Sequence, residues 1–110
     1  MNALKNRVQL IGNVGNDPEI KNFDEGKKKV TLNIATNDSY KNDKGEKVEQ
    51  TEWHTVVAWG KVAEIIEKFV TKGKQIAIEG KLTHRSYEDK NGEKRYFTEV
   101  VANDIMLLGK

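Results

Sequence analysis

Residues Thr51 to Lys61 read TEWHTVVAWGK and hold both tryptophans of the chain, six positions apart. In an extended strand side chains alternate, so Trp53, Thr55, Val57 and Trp59 share one face while His54, Val56 and Ala58 share the other. A lone tryptophan in such a strand is most often a core anchor. Two on one face, opposed by small aliphatic residues, fit a flat aromatic surface better, and Lys61 adds a cation beside it. Stacked rings with an adjacent phosphate are the ligand chemistry such a surface suits.

Working outward, the pattern is dominated by strands. Val8 and Leu10 alternate with polar residues between Arg7 and Val14, until Gly12, Gly15 and Pro18 break the run. Val30, Leu32 and Ile34 alternate with polar neighbours from Lys29 to Asn37. Asn42-Asp43-Lys44-Gly45 is a turn cluster that leads into the tryptophan strand. The period then changes: Val62, Ile65, Ile66, Phe69 and Val70 recur at helical spacing, and Gly73 marks a stop. On that spacing Phe69 is expected in the core. Alternation returns from Gln75 to Ser86, Asp89-Lys90-Asn91-Gly92 reads as a hairpin turn, and Arg95 to Leu107 forms a last strand.

Three strands, one helix and two strands are the order of an OB-fold. This is an all-β, five-stranded Greek-key barrel with its one short helix between the third and fourth strands, here with extended hairpin loops. A small antiparallel sandwich accommodates a lone helix at that position less naturally. Residues 1–110 are long enough for one such domain. The absence of cysteine excludes a disulfide framework and a thiolate metal site. The start, MNALKNR, lacks the apolar run of a signal peptide, and no stretch reaches membrane-spanning length. The expectation is an intracellular protein with no membrane association. Nineteen basic residues against 17 acidic ones leave a net charge of +2, so charge argues for a nucleic-acid partner only through its placement.

Three blocks resemble the bacterial single-stranded DNA-binding proteins: NRVQLIGNVGNDPEIK (Asn6 to Lys21), TEWHTVVAWGKVAE (Thr51 to Glu64), and Lys72 to Val101 with IEGKL and EKRYFTEVV inside it. They follow the family's order over nearly the whole chain. The resemblance implies a homotetramer of OB-folds that wraps single-stranded DNA without reading its sequence, in replication, recombination and repair, in the cytoplasm and associated with the nucleoid. Tyr40 and Tyr87 match positions where the family commonly has a stacking aromatic, with tyrosine here in place of tryptophan. Trp59 stands where phenylalanine is common. The resemblance also sets first-strand residues and the region of His54 near subunit interfaces. Family members usually continue into a flexible linker with an acidic tip that recruits replication and repair enzymes, and this sequence stops at Leu108-Gly109-Lys110. Those partners are therefore expected only if such a tail exists beyond this chain.

The expected DNA-binding set is Trp53 and Trp59 for bases, joined through the resemblance by Tyr40 and Tyr87, with Lys61, Lys72, Arg85, Arg7 and Lys21 as the positions that the resemblance sets near phosphates. Lysines are ordinarily solvated surface; Lys61 just after Trp59, Arg85 two residues before Tyr87, and Lys72 beside the glycine that follows the helix are the favoured members. Lys27-Lys28-Lys29 beside Asp24 and Glu25 reads as a solvated loop, and Phe23 as packing. Tyr96 and Phe97 have opposite parity and neither is assigned to DNA. His54 is expected as a core or interface residue. His84 is too distant in sequence to form a metal pair with it, so no metal and no cofactor is expected. An enzyme is not expected either: Asp17 and Glu19 around Pro18 have no nucleophile beside them, and Gly60-Lys61 lacks the rest of a phosphate loop. The alternative within the same fold is a protein-interaction subunit, such as a primosome accessory protein.

Overall fold

The computed structural model describes residues 5–109, so residues 1–4 of the stretch read as lacking a leader, and Lys110, fall outside it. The elements run β1 (Val8–Val14), β2 (Glu19–Asn22), β3 (Lys28–Lys41), β4 (Lys47–Trp59), α1 (Gly60–Phe69), β5 (Gln75–Glu88) and β6 (Lys94–Leu107), with a 3-10 turn at Asp24–Gly26. The sheet order is β1-β5-β6-β4-β3-β2, and a further β1–β3 pairing closes five strands into a barrel. That is the expected OB barrel, with α1 after its third long strand.

The extra strand, β2, lies just past Pro18 and pairs along the open edge of β3, from Glu19 opposite Thr31 to Asn22 opposite Lys28. Its four residues are too few to show periodicity, and the break at Pro18 conceals it. Lys28 and Lys29 belong to β3 and not to a solvated loop.

Closure depends on β1 pairing with two partners. Val8 to Asn13 pair with β5, while Asn13 and Val14 also meet Ala35 and Ile34 of β3. At the crossover a methyl group on Gly12 would lie 2.1 Å from the Ala35 carbonyl oxygen, so only glycine allows the two backbones to approach this closely. Inside, Val30, Leu32, Ile34, Val56, Ala58, Ile76, Ile78 and Val100 form the buried core. A bulge in β6 opposite Glu79 and Gly80 leaves Asn103 unpaired. It shifts the inward phase of β6 from Val100 and Ala102 to Ile105, and turns Met106 outward.

The helix covers one end of this core with Ala63 and Ile66, and Val70 just after it is also buried. Phe69 is 57% exposed and does not join them, which corrects the expectation of a core residue. At about 100° per residue, one step separates it from Val70, and the inward stripe passes through positions 63, 66 and 70 instead. Lys61 also sits differently from its sequence reading: the strand ends at Trp59, Gly60 takes a positive φ of 59°, and Lys61 lies in the first turn of α1.

Both antiparallel hairpins extend beyond the barrel. The β3–β4 ladder continues to Lys41 opposite Lys47, and β5–β6 to Glu88 opposite Lys94. Asn42 closes the first turn by accepting from the Lys44 and Glu46 amides, at 2.9 and 3.0 Å. Asp89 closes the second by accepting from the Asn91 and Glu93 amides, each at 2.9 Å. The Arg95 side chain, foremost, and these amides hold the Asp89 carboxyl below its usual range.

Two substitutions on α1 separate its faces. Ile66→Ala is expected to cost about 2–5 kcal/mol, and Phe69→Ala to stay within about 0.5 kcal/mol of the parent, both read by urea unfolding. A comparable loss at Phe69 would contradict the packing described.

Candidate nucleic-acid interface

The outer face of β4 carries Trp53, Thr55, Val57 and Trp59, and β3 sets Ala35, Asn33, Thr31 and Lys29 directly opposite them. Trp53 is 62% exposed, which core packing does not explain. Its ring rests on the backbone at Gly15, where a methyl group would fall 2.2 Å from Cζ3 of the indole. That backbone is itself fixed, since the Gly15 amide donates to the Asn33 carbonyl at 2.9 Å and the Asn33 amide donates to Asn16 Oδ1 at 3.0 Å. Trp53 therefore has a rigid seat.

Trp59 is held from the side. The Phe23 ring stacks on it with centroids 5.8 Å apart and planes at 27°, and Lys29 Nζ lies 5.6 Å from its ring centre. Lys21 pairs with Lys29 and Lys29 with Trp59, so two cations and the indole form one row across β2, β3 and β4. Lys61 follows in the first turn of α1 and is exposed.

A short parallel ladder joins this face to a second hairpin. Val56 pairs with Val100 and Val57 with Val101. Counting back four residues from the outward valines gives Trp53 on β4 and Phe97 on β6, at one level and on one face. Opposite Phe97 stands Arg85, whose guanidinium carbon is 4.6 Å from the Phe97 ring centre. Tyr87 meets the same ring edge-on, with centroids 5.9 Å apart. Two residues along the same face of β6 is Glu99, only 6% exposed, which forms an ion pair with Arg85, Oε2 to Nε at 3.1 Å.

The remaining sequence-predicted positions divide. Tyr40 is exposed but pairs with Val48, five residues beyond Ala35, so strand parity sets it on the opposite face of the β3–β4 arm from Trp53. Lys72 is exposed in the turn after α1, where its amide donates to Asp17 Oδ1 at 3.0 Å. Arg7 is drawn to a different surface, with its Nη2 3.0 Å from Glu79 Oε1 at the outer side of β1 and β5. His54 faces inward, half-buried, with Nε2 2.9 Å from the Thr36 hydroxyl. Among the described residues no cluster of three or more His, Cys, Asp or Glu could hold a metal ion. No helix of the described chain is long and apolar enough to cross a membrane.

A model of the single-strand binding protein family matches residues 5–108. The chain belongs to the single-strand binding protein family. A family member from Xylella fastidiosa, "Single-stranded DNA-binding protein 1", is 49% identical over 109 residues, covering 98% of this chain and 80% of that protein. The protein of the same name from Chlorobaculum tepidum is 46% identical over 105 residues, 94% of this chain, which spans only 65% of that relative. Among solved structures, the Plasmodium falciparum SSB complex with ssDNA superposes with a TM-score of 0.89 at 29% identity, over 94% of this chain and 95% of that one. A deletion mutant of the single-stranded DNA binding protein from Thermus aquaticus gives a TM-score of 0.82 at 32% identity, over 94% of this chain and half of its own.

Three residues of this face escaped the sequence reading. Phe23 reads as packing because β2 shows no period in the sequence, and Lys29, although it opens the strand read from Lys29 to Asn37, is grouped with the charged run beside it. Phe97 carries no assignment from parity alone, although its register opposite Arg85 follows once the Asp89–Gly92 turn fixes the β5–β6 hairpin. The seat of Trp53 gives a direct check. Gly15→Ala is expected to displace the indole, changing near-UV circular dichroism and tryptophan emission while far-UV signal is retained, at a cost of about 1–3 kcal/mol. Unchanged aromatic spectra would mean that the ring does not rest there.

Proposed function

We propose that the chain binds single-stranded DNA without sequence preference, by stacking bases on Trp53 and Trp59 and by contacting phosphates with Lys21, Lys29, Lys61 and Lys72. The single observation that carries this reading is the solvent-exposed pair of indoles on the outer face of β4, each fixed by its surroundings, with cations in register beside one of them. Every base offers a π face, so stacking is tolerant of sequence, and fixed rings lose little freedom on binding. Tyr87 adds an aromatic edge on the adjoining hairpin, and Tyr40 a contact on the far side of the β3–β4 arm for a strand that passes around it. Roles in replication, recombination and repair, and a cytoplasmic, nucleoid-associated location, accompany this reading.

Titration of tryptophan fluorescence with oligo-dT tests it. Strong quenching is expected, with Trp53→Ala and Trp59→Ala each weakening binding by about 5- to 150-fold, which corresponds to about 1–3 kcal/mol per stacked base. Affinity is expected to fall with salt with a slope near −0.7 per phosphate neutralised. Equal affinity for matched duplex DNA, or wild-type affinity in both variants, would overturn the assignment.

The same reading includes a homotetramer. Its support is a second outer surface, where Ile11 of β1, Ala77 of β5 and Met106 of β6 lie in one cross-strand row and both Ile11 and Met106 are exposed. With Gln9, Glu79 and Asp104 they line an open depression of about 360 Å³. Exposed apolar rows of this kind are characteristic of subunit contacts. Light scattering at micromolar concentration is expected to give four times the chain mass, and Ile11→Glu to lower it. A monomeric parent would refute the assembly while leaving DNA binding untouched.

A further inference from the structure

The β5–β6 hairpin presents a layered arrangement that a phosphate contact does not explain. Arg85 has its guanidinium over the Phe97 ring at 4.6 Å, and its Nε is held 3.1 Å from a carboxylate oxygen of Glu99. The Glu99 side chain is 7% exposed, whereas that of Arg85 is 51% exposed. The guanidinium therefore sits over an aromatic ring while half of its side chain stays exposed, and a buried anion pairs with its Nε. Glu99 is anchored in turn through its main chain, since Thr83 Oγ1 donates to its carbonyl oxygen at 3.3 Å.

We infer that Arg85 acts as a base-stacking surface, a second platform built of Phe97, Arg85 and Tyr87, and that phosphate neutralisation is not its role. The inference rests on the proposal that this outer face binds single-stranded DNA. Two physical arguments carry it. Swinging the guanidinium out to a phosphate would leave the Glu99 carboxylate buried and unpaired, a far larger loss than one solvated ion pair returns. The positive charge is, moreover, already matched by Glu99, so little net attraction is left for a phosphate. What the geometry leaves available is the planar outer face, which stacks on bases as an aromatic ring does. The position agrees with this role, because Phe97 stands level with Trp53 across the Val57–Val101 pair. One strand crossing from β4 to β6 thus meets an indole and then the guanidinium layer.

Arg85→Lys and Phe97→Leu test this, with Trp53 and Trp59 left in place as reporters. Lysine keeps the charge and loses the plane, and leucine keeps an apolar contact and loses the ring. Both variants are expected to bind oligo-dT about fivefold or more weakly than the parent, with an unchanged salt slope. On an abasic sugar–phosphate strand of equal length, at low salt, each is expected to match the parent. Parental affinity for oligo-dT in Arg85→Lys or in Phe97→Leu would overturn the inference. So would an equal loss on both strands, which would mark a structural or phosphate role. A parent that fails to quench with oligo-dT would instead refute the underlying DNA-binding proposal, and this inference with it.

Discussion

The architecture depends on two rungs of parallel ladder, Val56 with Val100 and Val57 with Val101. The remaining long-range pairing of β4 and β6 is with their own antiparallel partners, β3 and β5, so these rungs are where the two hairpins join. Val56 and Val100 point into the core and bury the inner side of the junction. Val57, on the outer side, is buried as well, which makes the floor between the hairpins apolar and closed to water. Because the rungs are parallel, both arms leave the barrel in the same direction, and residues equally far upstream on each stand level. Trp53 and Phe97 share a face and a level by that geometry, with no pairing of the two strands at their own positions.

Much of this was legible in the sequence wherever burial imposes a period. The tryptophan strand, the helix and the Gln75 strand each bury one side, so apolar residues recur at spacing two or near 3.6, and the barrel order follows. Legibility fails where burial does. Asp38 to Lys41 and Lys47 to Gln50 lie in a ladder that projects into solvent, and their mostly polar side chains carry no alternation that would extend the strands to their true length. Phe69 failed for a different reason: an aromatic ring at an i+3 position looks like part of the stripe, but α1 turns its neighbour Val70 inward instead. The bulge at Asn103 is invisible to any strict period, since it exists to change phase.

Electrostatics shows the same limit. A net charge of +2 hides an uneven distribution, because several cations are already committed. Lys28 pairs with Glu67, Arg7 with Glu79, Arg85 with Glu99, and Arg95 with Asp89. Lys21 and Lys29, by contrast, stand side by side in the row that ends at Trp59, and neither forms an ion pair among the described residues. Adjacent like charges repel and are unfavourable in a sheet unless an anion comes between them. Their alignment with an indole concentrates positive charge beside one exposed aromatic ring.

Phe23 shows how that row was made durable. Trp59 is the last residue before Gly60 takes a positive φ and the chain turns into α1, so its own strand does not continue past it to support the ring. Phe23, between β2 and the 3-10 turn, supplies the missing support: its amide donates to the Lys27 carbonyl at 2.7 Å across the turn, and its ring stacks on the indole. The short strand that the sequence concealed therefore does two things at once: it lines Lys21 up with Lys29, and it starts the turn that steadies Trp59. An element too small to bury a core of its own thus contributes to the site entirely through register, which is why hydrophobic periodicity could not reveal it.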